Sequence, residues 1–302
     1  MPSIRQMALA AVTRRYPLYS GCGTLANHRL IRSLAGRATD AHAWARVPGG
    51  QIQVDLNEYI GRAAYYVGDL DRKVTWICGR IVRPGDTVMD IGANIGLVTV
   101  WLASLVGPKG LVYAFEPNPT LQDGLKATIQ RNNLDQVRLS NFALGSKRTT
   151  LELRVPLDNV GRASLVRYAD VPGYEVHQVP VVPLSDIVAE QRIASIRLIK
   201  MDVEGFEADV LEGALEVLEV VKPDSILFEV NATRGPLAAH PVFRILRSYD
   251  YGFFRVPKCL FRMRLERFEP SSTEHEAGND FLAAPKGESY ERMASLVRAG
   301  RQ

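Results

Sequence analysis

The stretch 87–96, Thr-Val-Met-Asp-Ile-Gly-Ala-Asn-Ile-Gly, constrains this chain more than any other. Its short apolar run, bounded upstream by the turn residues Pro84, Gly85 and Asp86, reads as a buried strand ending at Asp90 and Ile91. Gly92 and Gly96 follow, and 97–103 continues as an apolar helix pattern. Strand, glycine turn and helix form the first half of a nucleotide-binding βαβ unit. Glycine suits the turn because a ligand approaches the backbone where a Cβ would clash. The helix N-terminus beyond it offers unpaired N–H groups and a partial positive charge. The dinucleotide fingerprint G-x-G-x-x-G wants glycine where this chain has Asn94 and Leu97. A nucleoside ligand other than a dinucleotide is therefore open.

The next strand, Leu111 to Phe115, ends in Glu116, followed by Pro117, Asn118 and Pro119. A carboxylate at the tip of the second strand of such a unit is placed to accept both ribose hydroxyls. The two prolines stop the strand and start the next helix. A packing turn and a solvated strand end would account for either piece alone; together with Asp90 they point to a nucleoside site.

Further along, 120–132 reads as a helix and 137–145 as a third strand running into a loop at Asn141, Phe142 and Ala143. The rhythm then changes: 149–155 alternates and 177–182 is strand-like, which predicts an antiparallel insertion over about 146–185. A fourth strand, 195–201, ends in Asp202, and one helix is expected from Phe206 to about Val221. Strands at 225–230, 251–256 and 279–284 and a helix at 241–249 complete the alternation. Such an order predicts a doubly wound, mostly parallel α/β sheet with helices on both faces. Ligands then sit at the carboxyl ends of the strands, where Asp90, Glu116, Asn141, Asp202 and Asn231 fall. Residues 52–80 are mixed; Tyr59, Tyr65, Tyr66 and Trp76 could line a site or fill the core.

The first fifty residues differ in charge. They carry seven arginines and one acid, Asp40, hence +6; the whole chain is +4, which leaves the rest at −2. Nucleic-acid binding fits poorly with basicity so confined. The segment divides the chain into an Arg-rich, helical extension (1–50), a main α/β domain (51–290) and a tail (291–302). The basic start is expected either to pack on the main domain or to touch an anionic membrane or an acidic substrate. Three well-separated cysteines without metal spacing argue for a reducing, cytoplasmic setting, and no apolar run approaches a membrane span.

Four ordered motifs now carry a resemblance: D-I-G-A-N-I-G (90–96), F-E-P-N-P (115–119), N-F-A-L-G (141–145) and I-K-M-D-V-E-G-F-E (199–207). With N-x-G-x-A-S-L (159–165) and P-x-x-I-L-F-E-V (223–230), they resemble the FkbM-type S-adenosylmethionine-dependent methyltransferases over roughly residues 52–285. The resemblance implies the class I methyltransferase sheet, seven strands with the last antiparallel, and O-methylation of a hydroxyl on a small molecule, sugar or glycan, glycolipid or polyketide. It implies that Asp90, Gly92, Ala93, Asn94 and Gly96 form the turn under the methionine part of S-adenosyl-L-methionine. Glu116 would hold the ribose, Pro117 and Asn118 the adenine side, and Asn141, Phe142 and Ala143 the adenine edge. Asp202 would lie near the sulfonium and amino group. Catalytic candidates are Asp202 and Glu204, the latter either a general base or a first-turn helix acid; His177 reads as structural. Asp202 with Glu229 or Asn231 could share a cation, but no signature demands one, and no metal is expected. A nicotinamide-dependent oxidoreductase and a non-catalytic cofactor-binding module are the alternatives.

Overall fold

The structure, a computed structural model, describes residues 2–36, 41–157, 160–165, 173–230, 235–271 and 279–299. Helices α1 (Ile4–Thr13), α2 (Cys22–Asn27) and α3 (Arg29–Ala35) precede a hairpin of β1 (His42–Val47) and β2 (Gly50–Asp55). Helices α4 (Tyr59–Tyr66) and α5 (Arg72–Ile81) lead into the central sheet. There β3 (Thr87–Ile91), α6 (Leu97–Val106), β4 (Leu111–Phe115), α7 (Gln122–Arg131) and β5 (Val137–Ser140) alternate. The expected insertion is a small sheet of β6 (Ala143–Leu144), β7 (Thr149–Pro156) and β8 (Tyr174–Val182), with β8 in the middle. Helix α8 (Leu184–Glu190) returns the chain to β9 (Leu198–Met201), α9 (Glu207–Glu212), β10 (Ile226–Val230), α10 (Pro241–Ser248) and β11 (Tyr251–Val256). Then β12 (Glu266–Phe268), β13 (Asn279–Pro285) and α11 (Glu288–Ala299) end the chain.

The central sheet runs β12-β11-β13-β10-β9-β3-β4-β5. Strands β5, β4, β3, β9 and β10 are mutually parallel, and β13 is antiparallel to both β10 and β11. The last long strand is thus the reversed one, as expected, but the sheet has eight strands rather than seven. The extra strand, β12, is only three residues at the edge, too short for a period-two pattern to show.

Side chains alternate between two buried faces. Val88, Val112, Ala114 and Leu198 point into a core shared with α5, α6 and the N-terminal helices. Met89, Ile91, Phe115, Ile199 and Met201 point into a second core under α8, α9 and α10. Burial on both faces explains why the central strands read as unbroken apolar runs. Two expectations fail here. The third strand stops at Ser140, since Ala143 and Leu144 pair with Val181 and Val182 in the small sheet instead. The helix expected over 206–221 ends at Glu212 and resumes as a π-helical turn, Val217–Val221. Gly213 marks the break: a Cβ there would stand 1.9 Å from the carbonyl oxygen of Gly145, so only glycine lets the insertion approach so closely.

The Arg-rich start is docked to the hairpin and α4. Thr13 Oγ1 donates to the carbonyl of Tyr66 (2.6 Å), and Arg14 donates to those of Tyr65 and Arg46 (2.7 Å each). The boundary expected at residue 50 falls at the first residue of β2, whose partner β1 lies on the other side of it. Among the described residues no helix is long and apolar enough to cross a membrane.

Candidate active site

The chain leaves β3 toward β4 and β5 on one side, then returns through β9 toward β10 on the other. At that switch point the loops diverge and open a crevice at the carboxyl ends of the strands. A cavity of about 490 Å³ lies there, well within the size of small-molecule sites.

One wall is the β3–α6 turn and the tip of β4. Gly92 has φ +79°, and a Cβ on it would meet the carbonyl oxygen of Asp202 at 2.0 Å. Its glycine is therefore demanded by the neighbouring loop as much as by any ligand. Asn94 also takes a left-handed backbone, φ +52°, which asparagine tolerates better than most residues. Its N–H donates to Glu116 Oε2 (2.7 Å), while the N–H of Asn118 donates to Oε1 (2.8 Å). Burial pushes the Glu116 carboxyl up to about 7, against the pull of those two amides and of Lys200. Each carboxylate oxygen keeps a second lone pair for a further donor.

Beneath this turn, Asp90 and Lys200 face each other across β3 and β9. Lys200 Nζ stands 3.1 Å from Asp90 Oδ1 and donates to the carbonyl of Gly92 (2.7 Å); Thr99 Oγ1 donates to Asp90 Oδ2 (2.6 Å). Burial alone would lower the pKa of Lys200, but Asp90, Asp202 and Glu116 outweigh it and raise the value. The ammonium stays charged.

The opposite side is acidic. Asp202 follows β9 directly, and Glu204 lies two residues on with φ +52°, a strained position for a residue with a Cβ. Burial, then Asp202 and Glu207, push Glu204 up to about 7. Glu204 does not begin the next helix. That helix starts at Glu207, whose Oε1 accepts from the N–H groups of Val203 (3.2 Å) and Gly205 (3.3 Å). The first-turn acid expected at Glu204 is thus Glu207, whose side chain ties down the loop before the helix. Ser164, from the insertion, donates to the carbonyl of Glu204 (2.9 Å) and braces the strained residue from above. Glu229, at the end of β10, is pushed to about 7 by burial and by Asp202, Asp280 and Glu204.

Of the residues expected from the sequence, Gly92, Ala93, Asn94, Glu116, Pro117, Ala143, Asp202 and Glu204 line this cavity together. Asp90, Gly96, Asn118, Asn141 and Phe142 do not. Asp90 and Asn118 are fully buried, Asn118 Oδ1 accepting from Thr120 N–H (3.0 Å) to form the turn after Glu116. Gly96 begins α6 against Leu125. Asn141 is exposed, and Phe142 packs behind the cavity-lining Phe115, 5.8 Å between ring centres. His177 lies on β8 beside Glu175, away from the cavity. Tyr59 lines the wall, whereas Tyr65 and Tyr66 are core. Asn159 and Asn231 lie outside the described residues.

Sequence reading missed several wall residues. Lys200 could have been found: it interrupts an otherwise apolar strand, the mark of a buried ion pair. Lys73 of α5 is buried in the wall, bonded to Asp280 and 3.1 Å from Asp71. Burial raises Asp280 while Lys73 opposes it. Nothing in the sequence links these residues, which are some two hundred positions apart. Tyr19, Ser20, Gly21 and Thr24 also line the cavity, so the Arg-rich segment reaches a site that sequence reading had kept apart from it.

The sheet order with its reversed β13, the glycine turn after β3 and the carboxylate at the tip of β4 define a class I methyltransferase fold. A family model described as the methyltransferase FkbM domain matches residues 90–253. The 31-O-demethyl-FK506 methyltransferase FkbM of Streptomyces tacrolimicus is 33% identical over 235 residues, covering 68% of this chain and 87% of that protein. Methyltransferase 1 of Beauveria bassiana is 29% identical over 62% of this chain and 83% of its own length. The 2-O-methyltransferase NoeI of Sinorhizobium fredii is 26% identical, with 58% and 76% covered. The chain belongs to the FkbM methyltransferase family, and its methyl donor is S-adenosylmethionine. The cavity suits that cation: seven carboxylates line it against three ammonium groups, those of Lys73, Lys200 and Lys258.

Proposed function

We propose that this methyltransferase acts on oxygen, at a hydroxyl of a small molecule, sugar or glycan, glycolipid or polyketide. The observation that carries the reading is Glu204: a strained carboxyl with its pKa raised to about 7, in the cavity wall beside Asp202. A base of that strength is matched to a proton transfer near neutral pH. The names of two relatives, a 31-O-demethyl-FK506 methyltransferase and a 2-O-methyltransferase, support oxygen as the acceptor atom.

In this reading Glu116 receives the ribose hydroxyls on its remaining lone pairs, and Pro117 and Ala143 flank the adenine. Gly92, Ala93 and Asn94 bed the methionine part, and Asp202 faces the sulfonium and amino group. Asp90, Gly96 and Asn118 act one layer back, holding Lys200, α6 and the Glu116 tip in place; Phe142 supports the wall through Phe115, and Asn141 before it is exposed. The bound cofactor supplies an electrophilic methyl group. Glu204 would take the proton of the acceptor hydroxyl, readying that oxygen for the methyl group the cofactor would supply. Positioning carries much of the acceleration, since well-oriented groups contribute about 7–11 kcal/mol. The thiols Cys22, Cys78 and Cys259 are all free, which supports a reducing, cytoplasmic setting.

A labelled-methyl transfer screen against cell extract divided into glycans, lipids and small metabolites tests the reading. Label released by mild base, or found on nitrogen or carbon of the purified product, would overturn O-methylation of a hydroxyl; an alkali-stable methyl ether supports it.

A further inference from the structure

Seven of the twelve exposed large apolar side chains among the described residues gather on two neighbouring N-terminal helices and one loop. Helix α1 buries Gln6, Ala10 and Thr13 but shows solvent a stripe of Ile4, Met7, Ala8, Ala11 and Val12 at helical spacing. Helix α3, packed beside it, exposes Leu30 and Leu34. The loop carrying Leu260 and Phe261 is tied to the same segment: Tyr19 N–H donates to the Leu260 carbonyl (2.9 Å), and Ser20 Oγ to that of Cys259 (2.9 Å). Phe261 is 80% exposed and Ile4 81%, and their clustering with the other five makes the kind of apolar patch that marks an interaction surface.

The same elements are rich in positive charge. Arg5, Arg15, Arg29 and Arg32 are exposed, and residues 2–36 contain no acid at all. Arg14 is the exception, its guanidinium engaged by backbone carbonyls. Apolar side chains among unopposed arginines match a bilayer interface, where hydrocarbon receives the first and anionic headgroups the second. An acidic protein partner would match the charge but leaves a stripe along one helix face and a lone protruding phenylalanine without a shaped counterpart.

We propose that α1, α3 and the 257–262 loop form a docking face for an anionic lipid bilayer. Tyr19, Gly21, Thr24 and Lys258 lie between this face and the cavity, and Gly21, Thr24 and Lys258 are exposed at its mouth. Docking by this face sets the mouth of the cavity next to the headgroup layer, so that acceptors held at a membrane surface are within its reach.

The test uses the full chain and flotation with vesicles of pure phosphatidylcholine or of an equimolar phosphatidylcholine–phosphatidylglycerol mixture. Flotation with the mixture alone, weakening as salt rises, is expected. The triple change Arg5→Glu, Arg29→Glu, Arg32→Glu should cut partitioning about tenfold or more. Ile4→Ser with Phe261→Ser should cut it several-fold with the charge intact. None of these residues lines the cavity, so affinity for S-adenosylhomocysteine should not change, and failure here leaves the catalytic reading standing. No flotation, or equal flotation with both vesicles, overturns the proposal. So does a dimer in light scattering that the serine variant splits while vesicles recover neither protein; the face would then be a contact between two copies.

Discussion

The two walls of the cavity are built in different ways. The wall proposed to hold the methyl donor is local: the β3–α6 turn and the β4 tip come from 91–97 and 115–118, and backbone N–H groups of each hold the Glu116 carboxylate. The wall proposed to face the acceptor is assembled from 19–24, 59–60, 69–74, Leu153, 161–165, 203–206 and single residues at 229, 258 and 280. A local wall can be specified by short motifs and is stiffened by its own hydrogen bonds. An assembled wall depends on tertiary packing of distant segments, so its shape can change while the donor wall stays intact.

The largest expected effect breaks the donor wall. Lys200→Met would strand Asp90 as a buried, unpaired charge, and removing one partner of such a pair costs about 3–5 kcal/mol. Chemical denaturation should show that loss, with S-adenosylhomocysteine binding reduced as well. An unchanged midpoint would mean that the Asp90–Lys200 pair does not hold the turn.

Glu204→Gln comes next and separates the walls most cleanly. Turnover should fall about 10²-fold or more with cofactor affinity retained, as loss of a general base requires. The carboxylate form is the working base, so the turnover of the parent protein should rise with pH through about 7, and that limb should vanish in the variant. Stability moves the other way. Folding raises the Glu204 pKa from 4.5 to about 7, so its contribution is full below about 4.5 and is lost as pH rises through 7. Glu116 and Glu229 shift likewise, and Glu204→Gln should only partly flatten the fall in melting temperature. A variant with near-normal turnover would remove the base assignment.

Glu116→Ala should weaken cofactor binding by about 1–3 kcal/mol, the range for hydrogen bonds to a charged group. Calorimetry decides it, and affinity equal to the parent would sink the ribose assignment.

The smallest effect belongs to the brace between walls. Ser164→Ala removes one hydrogen bond to the Glu204 carbonyl, worth about 0.5–1.5 kcal/mol. If the brace positions Glu204, kcat should fall several-fold while cofactor affinity holds, with Ser164→Thr restoring part of it. A loss of stability with no change in kcat would make Ser164 structural only.

The sequence was most legible where the walls are local. The parallel strands, the last strand and the sheet insertion were readable because each carries its own periodicity and turn residues; that the last strand is reversed followed only from the family resemblance. Gly92, Asn94, Glu116 and Asp202 were readable because strand ends in a doubly wound sheet must converge. β12 was too short to register, and the break at Gly213 depends on a carbonyl from Gly145, a contact no local pattern announces. Glu204 was placed at the start of a helix; only the structure showed Glu207 in that position and a left-handed backbone at Glu204.

By itself, then, the sequence determined the sheet, its cofactor end and the family of chemistry, because those follow from periodicity and from motifs whose residues act within a few positions of one another. Tertiary structure alone decided which charges meet. Lys73 finds Asp280, Lys200 finds Asp90, and Tyr19 reaches the cavity, through packing of segments far apart in the chain. The reason is physical: buried charges are tolerated only in pairs, and a pairing across such a distance exists only once the core has closed around it.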